Sequence, residues 1–481
     1  MSDSSRNEES TLNYLFHPGS IAIAGVSGNP DGFSPGRIFV QNLINAGFTG
    51  NIYPVNPKGG DVSGLEIYPT LEDIPGKIDY VISSVPARHT LKLVADSAGK
   101  GARAIHFFTS GFGELDDDEG GELEAKIVDA ARKTGVRLIG PNCMGIYCPA
   151  TGLSFGRDFP KKSGPLSLIA QSGGNTVRCI WEATTRGIYF SKAISYGNAA
   201  DLDETDLLEY LTTDPETKII AAYIEGVKDG IRFAEVLKKA CRTKPVIIFK
   251  GGATEIGTRT AASHTGALTG SKRIWDALLV QAGAVPVHSI EEIFDVAELF
   301  LRASLPGGKN VAIIGTGGGS SVKAADDCSN EGLTLPSLED RARHRLREIY
   351  DTAAGHIFSN PVDIVPFGGR GVLVDAFKAV AESDRIDSII IRVEFDLWCL
   401  VSKKVATDYF IDAIIKLGNR AGKPVAIVLH SVTTNEAKKL ASEAHARLVE
   451  AGFPVFPTIK RAAMAINRVV EYGRRIRELK G

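Results

Sequence analysis

One local pattern occurs three times along the 481 residues. An apolar run ends in a glycine-rich turn, and a helical pattern follows. The copies are Ser20–Gly25 (SIAIAG) into VSGNP, Leu166–Ala170 (LSLIA) into QSGGN, and Asn310–Gly315 (NVAIIG) into TGGGSS. A short run without alternation is buried on both faces, which is how a strand of a parallel sheet reads. Further apolar runs lie between these openings, at Ile52–Val55, Tyr80–Ser84, Ala104–Phe108, Val136–Ile139, Ile219–Ile224, Val246–Lys250, Ser388–Val393 and Val425–Leu429. Amphipathic stretches such as Thr90–Lys100 and Glu122–Thr134 alternate with them. Strands alternating with helices give βαβ units. Gly, Pro and Lys break the periodicity at Pro149–Lys162 and Leu305–Lys309. The reading is therefore three doubly wound α/β domains in series, with boundaries at 1–148, 149–305 and 306–481.

Composition narrows the function classes. The formal net charge is −2, so no global field draws nucleic acid or an acidic membrane surface, and any anion site must be built locally. The six cysteines are scattered without a C-x-x-C pair, which reads as reduced, buried thiols of a cytoplasmic protein. The polar start MSDSSRNEES has no signal-peptide core, and no apolar run of about 18 residues predicts a membrane span.

A strand, a glycine turn and a helix collect backbone N–H groups and a positive dipole end at one spot, which suits phosphate. The first turn reads Gly25-Val26-Ser27-Gly28, without the G-x-G-x-x-G spacing of a dinucleotide site. After the second strand comes Asn56-Pro57-Lys58, where a ribose-binding site places an acidic residue. Lysine there suits another phosphate. An NAD-dependent enzyme is the weaker reading of this domain.

The stretches SIAIAGVSGNP, YPVNPKGG, ISSVPA, FTSGF and GPNCMG resemble the CoA-binding domain of succinyl-CoA synthetases and ADP-forming acyl-CoA synthetases. The resemblance implies a Rossmann-like CoA-binding domain followed by two flavodoxin-like, doubly wound parallel-sheet domains. It implies coenzyme A contacts at Gly25, Ser27, Lys58, Pro86, Thr109 and Ser110. The segment SHTGALTGS within Lys250–Ser271 resembles the phosphohistidine loop of the same family at Ser263, His264, Thr265, Gly266, Leu268, Gly270 and Ser271. The chain has nine histidines, and His264 stands apart because its small, polar neighbours do not suit a core. Imidazole is a good nucleophile near neutral pH.

A phosphoryl group in transit needs an electropositive cradle. Ser172, Gly173 and Gly174 open one helix, and Gly317, Gly318 and Gly319 open another. Either set can instead serve tight helix–sheet packing. The family commonly has QSGALG and NAGG at these turns, where this chain has QSGGNT and GTGGG; both changes keep the backbone donors. Glu225 ends the run IIAAYI at a strand's carboxyl edge, where ligands of such folds bind. Its carboxylate can take a proton from one imidazole nitrogen and leave the other free to attack. The family has a glutamate matching this position and role. Asn198, Asp201 and Asp203 in YGNAADLDETD read as a loop and N-cap before a helix at 204–211, and no metal site is assigned.

The resemblance spans residues 12 to 470, yet neither a nucleotide-grasping module nor a P-loop is seen. It implies the catalytic subunit of an acid–thiol ligase that joins a small carboxylic acid to coenzyme A. ATP or ADP with Mg²⁺ would sit in a separate ATP-grasp beta subunit, in a heterotetramer. A non-catalytic CoA-binding regulator is the alternative from another class.

Overall fold

The computed structural model describes residues 12–29, 31–115, 118–252, 254, 256–257, 271–315, 318–349, 358–363, 372–396, 404–418, 422–430 and 433–480. The chain divides into two compact units, Met1–Ile290 and Glu291–Gly481.

The first unit contains two sheets. In the first sheet β1 (Ser20–Ala24), β2 (Asn51–Val55), β5 (Tyr80–Ser83), β6 (Ala104–Phe107) and β7 (Arg137–Ile139) are parallel, in the order β2-β1-β5-β6-β7. A small hairpin, β3 (Asp61–Val62) with β4 (Leu65–Glu66), forms a two-stranded sheet of its own, and Tyr68 just beyond it bridges Val55 of β2. Helices α1 (Pro35–Ala46), α2 (Thr90–Gly99) and α3 (Asp118–Thr134) connect these strands. Every residue of β1, β5 and β6 is buried, as expected for strands covered on both faces. Start and stop signals of α1 are local: Ser34 accepts from the Arg37 amide, Pro35 stands in the first turn, and Gly47 ends the helix at φ 84°.

The second sheet holds β8 (Gly145–Tyr147), β9 (Leu166–Ala170), β10 (Phe190–Ser195), β11 (Ile219–Ile224), β12 (Val246–Lys250) and β13 (Val285–Val287), in the order β13-β12-β11-β9-β10-β8. Only its edge strand β8 is antiparallel. That strand lies before residue 148, so the chain enters the second sheet earlier than a division at 148/149 would have it. Helices α4 (Gly173–Thr185), α5 (Glu204–Thr213), α6 (Gly230–Thr243) and α7 (Lys272–Ala282) complete the layer.

The second unit carries β14 (Val311–Gly315), β15 (Val362–Asp363), β16 (Ser388–Val393), β17 (Val425–Leu429) and β18 (Val455–Phe456), all parallel, in the order β15-β14-β16-β17-β18. Its helices are α8 (Ile290–Arg302), α9 (Gly318–Asn330), α10 (Asp340–Ile349), α11 (Val372–Ala381), α12 (Lys404–Gly418), α13 (Asn435–Glu450) and α14 (Ile459–Lys480). α8 precedes residue 305 but is tied into this unit. Buried Asp295 takes two 2.6 Å hydrogen bonds from Arg461 of α14, and buried Glu298 accepts from the Val455 amide at 2.7 Å.

Numbered by appearance along the chain, the parallel strands of all three sheets run 2-1-3-4-5. This is the flavodoxin-like order, with a switch point between the first and third strands. The sequence-read strands at 166–170, 219–224, 246–250, 388–393 and 425–429 have the observed bounds. β10 has no counterpart in the sequence reading, because FSKAIS carries a lysine. Lys192 is nonetheless fully buried. Its ammonium pairs with Asp214 at 2.9 Å and with Glu216, while Thr217 also donates to Asp214.

Removing one member of such a pair strands a buried charge. Lys192→Met is expected to destabilise the first unit by about 3–5 kcal/mol. A lowered denaturant midpoint at unchanged slope checks this, and an unchanged midpoint contradicts it.

Candidate functional site

At the first switch point, Gly25 leaves β1 at φ +95°. A Cβ there would sit 2.9 Å from the backbone carbonyl of Ser84, so only glycine suits the turn. Ser84 ties the two strand ends together by donating its hydroxyl to the Ala24 carbonyl at 2.9 Å. The turn then folds back over the start of α1. Ser27 donates its amide to Ser34 Oγ at 3.2 Å, and Arg37 donates Nη2 to the Ser27 carbonyl at 2.8 Å.

The other residues expected to meet coenzyme A lie on the same edge. Lys58 is exposed in the loop after β2, and Pro86 is exposed after β5. Thr109 and Ser110 follow β6. Thr109 is buried and donates its hydroxyl to the Val85 carbonyl at 2.8 Å, whereas Ser110 is exposed. All six therefore sit on loops leaving the carboxyl ends of β1, β2, β5 and β6.

The second switch point lies between β9 and β11. Ser172 caps α4, its hydroxyl accepting from the Asn175 amide at 3.3 Å. Gly173 and Gly174 form the first turn, and a Cβ on Gly174 would meet nothing within 4 Å. Across the switch point stands Glu225, buried at 6% exposure. Tyr223 donates to its Oε1 at 3.1 Å, while the buried Oε2 has no hydrogen-bond partner among the described residues. The helix start and the glutamate, far apart in sequence, thus stand at the carboxyl ends of the neighbouring strands β9 and β11.

Two residues of this crevice were not singled out from the sequence. Gln171 Oε1 accepts from the amides of Glu225 at 2.8 Å and Gly226 at 3.2 Å, pinning the glutamate's backbone to the end of β9. Lys250 ends β12 and is buried. It donates Nζ to the Glu225 carbonyl at 2.6 Å and to the Gly251 carbonyl, with its ammonium 5.3 Å above the Trp275 ring. Among the described residues no carboxylate lies within ion-pair distance of it. Burial pushes its pKa down to about 8, and the nearby Glu225 charge opposes the fall. A polar residue ending an otherwise apolar strand was the available signal for both.

His264 and Gly317 lie outside the described residues. Gly318 and Gly319 open α9 directly after β14, and a Cβ on Gly319 would meet nothing within 4 Å. Asp201 and Asp203 have structural work. Asp201 accepts from Arg137 Nε at 2.9 Å, and Asp203 caps α5 by accepting from the Thr205 and Asp206 amides at 2.9 Å each. Asn360, which leads into β15 through Pro361, ties β14 by donating Nδ2 to Val311 O at 2.7 Å and accepting from Ile313 N at 3.0 Å.

Comparison with known proteins places names beside this geometry. Residues 19–149 match the model of a CoA binding domain, and residues 163–300 match a succinyl-CoA ligase like flavodoxin domain. The alpha subunit of ADP-forming acetate–CoA ligase II of Pyrococcus furiosus is 34% identical over 466 residues, covering 97% of this chain and 98% of the relative. ADP-forming 4-hydroxybutyrate–CoA ligase of Nitrosopumilus maritimus is 30% identical over 85% of this chain and 57% of its own. Among solved structures, the dinucleotide forming acetyl-coenzyme A synthetase 1 of Ca. Korarchaeum cryptofilum, in complex with phosphate and ADP, superposes with a TM-score of 0.83 at 29% identity, covering 98% of each chain.

The buried lysine gives a measurable pH dependence. From about pH 8 to 10.5 the unfolded chain holds the Lys250 proton and the folded chain has released it. The unfolded state then binds more protons, so stability gains a term that rises with pH across that window. Unfolding free energies of wild type and Lys250→Met should diverge in favour of wild type between those limits. A constant difference contradicts the assignment.

Proposed function

Because the chain belongs to the family of ADP-forming acyl-CoA synthetases, we propose that it is the CoA-binding subunit of such an enzyme and carries a phosphoryl group on His264. The observation that carries the reading is the second switch point. There a buried carboxylate with one unpartnered oxygen stands at the end of β11, beside the strand β9 that leads into the start of α4, where Gly174 has open space around it.

Each residue has a task that its chemistry allows. Glu225 takes a proton from one imidazole nitrogen of His264, which leaves the other nitrogen electron-rich. The imidazole then forms an N–P bond as the P–O bond to the nucleotide breaks. The first-turn amides of α4, opened by Ser172, Gly173 and Gly174, hold the phosphoryl oxygens, with the helix dipole aligned to favour negative charge. Gly317, Gly318 and Gly319 serve α9 in the same way. The phosphoryl group next passes to the carboxylate of a small acid, giving an acyl phosphate and restoring His264. Coenzyme A, a substrate of the overall reaction, supplies the thiol, which forms the C–S bond of the thioester as the C–O bond to phosphate breaks and inorganic phosphate leaves.

The first crevice fits coenzyme A. Its floor is a glycine turn pressed onto Ser84, its helix start is capped, and Lys58 stands exposed beside it to meet a phosphate. Gly25, Ser27, Pro86, Thr109 and Ser110 would line the rest. We place the nucleotide and its Mg²⁺ on an ATP-grasp beta subunit within a heterotetramer. We keep 1–148, 149–305 and 306–481 as the functional division, and the cytoplasm as the place of work. Among the described residues, no helix is long and apolar enough to cross a membrane.

Incubation with a panel of acyl-CoAs and inorganic phosphate, without the partner, tests the carrier. The right acyl group should leave an acid-labile adduct of about 80 Da, the mass of one phosphoryl unit, on His264. His264→Asn should abolish labelling, and Glu225→Gln should slow it about 100-fold, the scale of one lost proton-transfer partner. Labelling of His264→Asn at the wild-type level overturns the proposal. Coenzyme A binding with no adduct for any acyl group identifies a regulator instead.

A further inference from the structure

We infer that Asn198 is a positioning residue that sets the coenzyme A loop of the first sheet against the phosphate-binding helix start of the second. The inference rests on the coenzyme A reading of the first crevice and goes beyond it.

Asn198 lies in the loop that leaves β10 and is buried at 6% exposure. Its amide donates to two carboxylates of the first layer, Glu114 Oε2 at 2.6 Å and Glu124 Oε2 at 3.0 Å. Glu114 in turn holds the loop after β6. It accepts from the Gly111 amide at 2.6 Å and the Phe112 amide at 3.3 Å, directly after Thr109 and Ser110. The loop's conformation therefore depends on a carboxylate whose position is set from the other sheet.

A second path runs beside the first. Asn142 of the GPNCMG stretch donates its backbone N–H to the Thr109 carbonyl at 2.9 Å, and Asn198 donates its backbone N–H to the Pro141 carbonyl at 3.0 Å. Gly197 packs so closely on Pro141 and Asn142 that a Cβ would lie 2.2 Å from the Pro141 oxygen. The Met144 amide donates to Ser195 Oγ at 3.1 Å, and the Met144 side chain fills the space beside Gly173, 2.7 Å from where a Cβ would stand. The segment 195–198 is thus wedged between the coenzyme A loop and the first turn of α4. An acyl group moving from phosphate to thiol must cross between those two elements, and errors near 1 Å there are costly.

The amide nitrogen suits this place, while the Asn198 Oδ1 is buried without a hydrogen-bond partner among the described residues. One amide nitrogen carries two donors, so it can satisfy two carboxylates without adding charge. An aspartate at 198 would put three carboxylates together, and they would repel until one took a proton. The other charges around the loop are already engaged or buried. Asp201 pairs with Arg137, Asp203 lies 3.9 Å from Arg232, and Lys228 donates to the Ala199 carbonyl at 2.6 Å. Burial, aided by the Asp203 charge, pushes Glu204 up to about 8.

The test measures coenzyme A dissociation constants on the full chain at pH 8 and pH 5.5. Asn198→Asp should bind about tenfold more weakly than wild type at pH 8, the scale of one lost charge-assisted bond. At pH 5.5 it should return to within about twofold. The exchange double variant, N198D with E114Q, restores an amide–carboxylate pair and should recover most of the loss at pH 8, which general damage to the fold would not allow. Should N198D fail to fold, Asn198→Ala reads the same loss without added charge. Wild-type affinity in N198D, or in N198A where that variant is used, overturns the coupling, as does a double variant no better than N198D. A wild-type chain that does not bind coenzyme A overturns the reading of the first crevice itself.

Discussion

A doubly wound sheet must reverse its winding direction next to its first strand. Two neighbouring strands then send their loops to opposite faces, and the carboxyl ends between them stay open. Backbone groups at such an opening still need partners. In this chain polar side chains supply them: Ser84 reaches the Ala24 carbonyl in the first sheet, and Gln171 takes the amides of Glu225 and Gly226 in the second. The crevice is therefore a consequence of topology, and its walls are held by a few side-chain hydrogen bonds.

What those crevices can bind follows from local charge, since a net charge of −2 provides no long-range attraction for anions. The second and third openings have a glycine-rich helix start, which contributes donors without a side chain in the way, while α1 begins with Pro35-Gly36 under the Ser34 cap. The second adds a buried ammonium at Lys250 and a carboxylate at Glu225 with one unsatisfied oxygen. Gln171 and Lys250 both act on the backbone of Glu225, while Tyr223 donates to its carboxylate.

The strands were legible because most of them are pure apolar runs. Leu166–Ala170 and Ile219–Ile224 are buried almost throughout, and nothing in their sequence competes with that reading. β10 was illegible for the converse reason: Lys192 belongs inside only because Asp214 and Glu216, more than 20 residues away, come to meet it. β8 is three residues long, too short to carry a period, and is placed by pairing with Ser195 and its neighbours. Of the site, the glycine turns and Glu225 were visible as strand-end features. Asn198 was visible only as part of a loop. Its role depends on Glu114 and Glu124, which no spacing rule connects to it.

The bonding of the two layers in the first unit also constrains how the proposed reaction divides. The coenzyme A loop and the start of α4 are linked through Asn142, Met144, Asn198 and Glu114, so their separation is set by the fold. Thioester formation can then proceed within one unit of constant geometry, where a thiol and an acyl phosphate need close alignment. The phosphoryl group, by contrast, must come from a nucleotide held elsewhere. In the proposed reaction that travel falls to the segment between β12 and α7, which carries His264. Its run of Gly, Ala, Ser and Thr, which would be a poor core, suits a carrier that must leave one crevice and return to it.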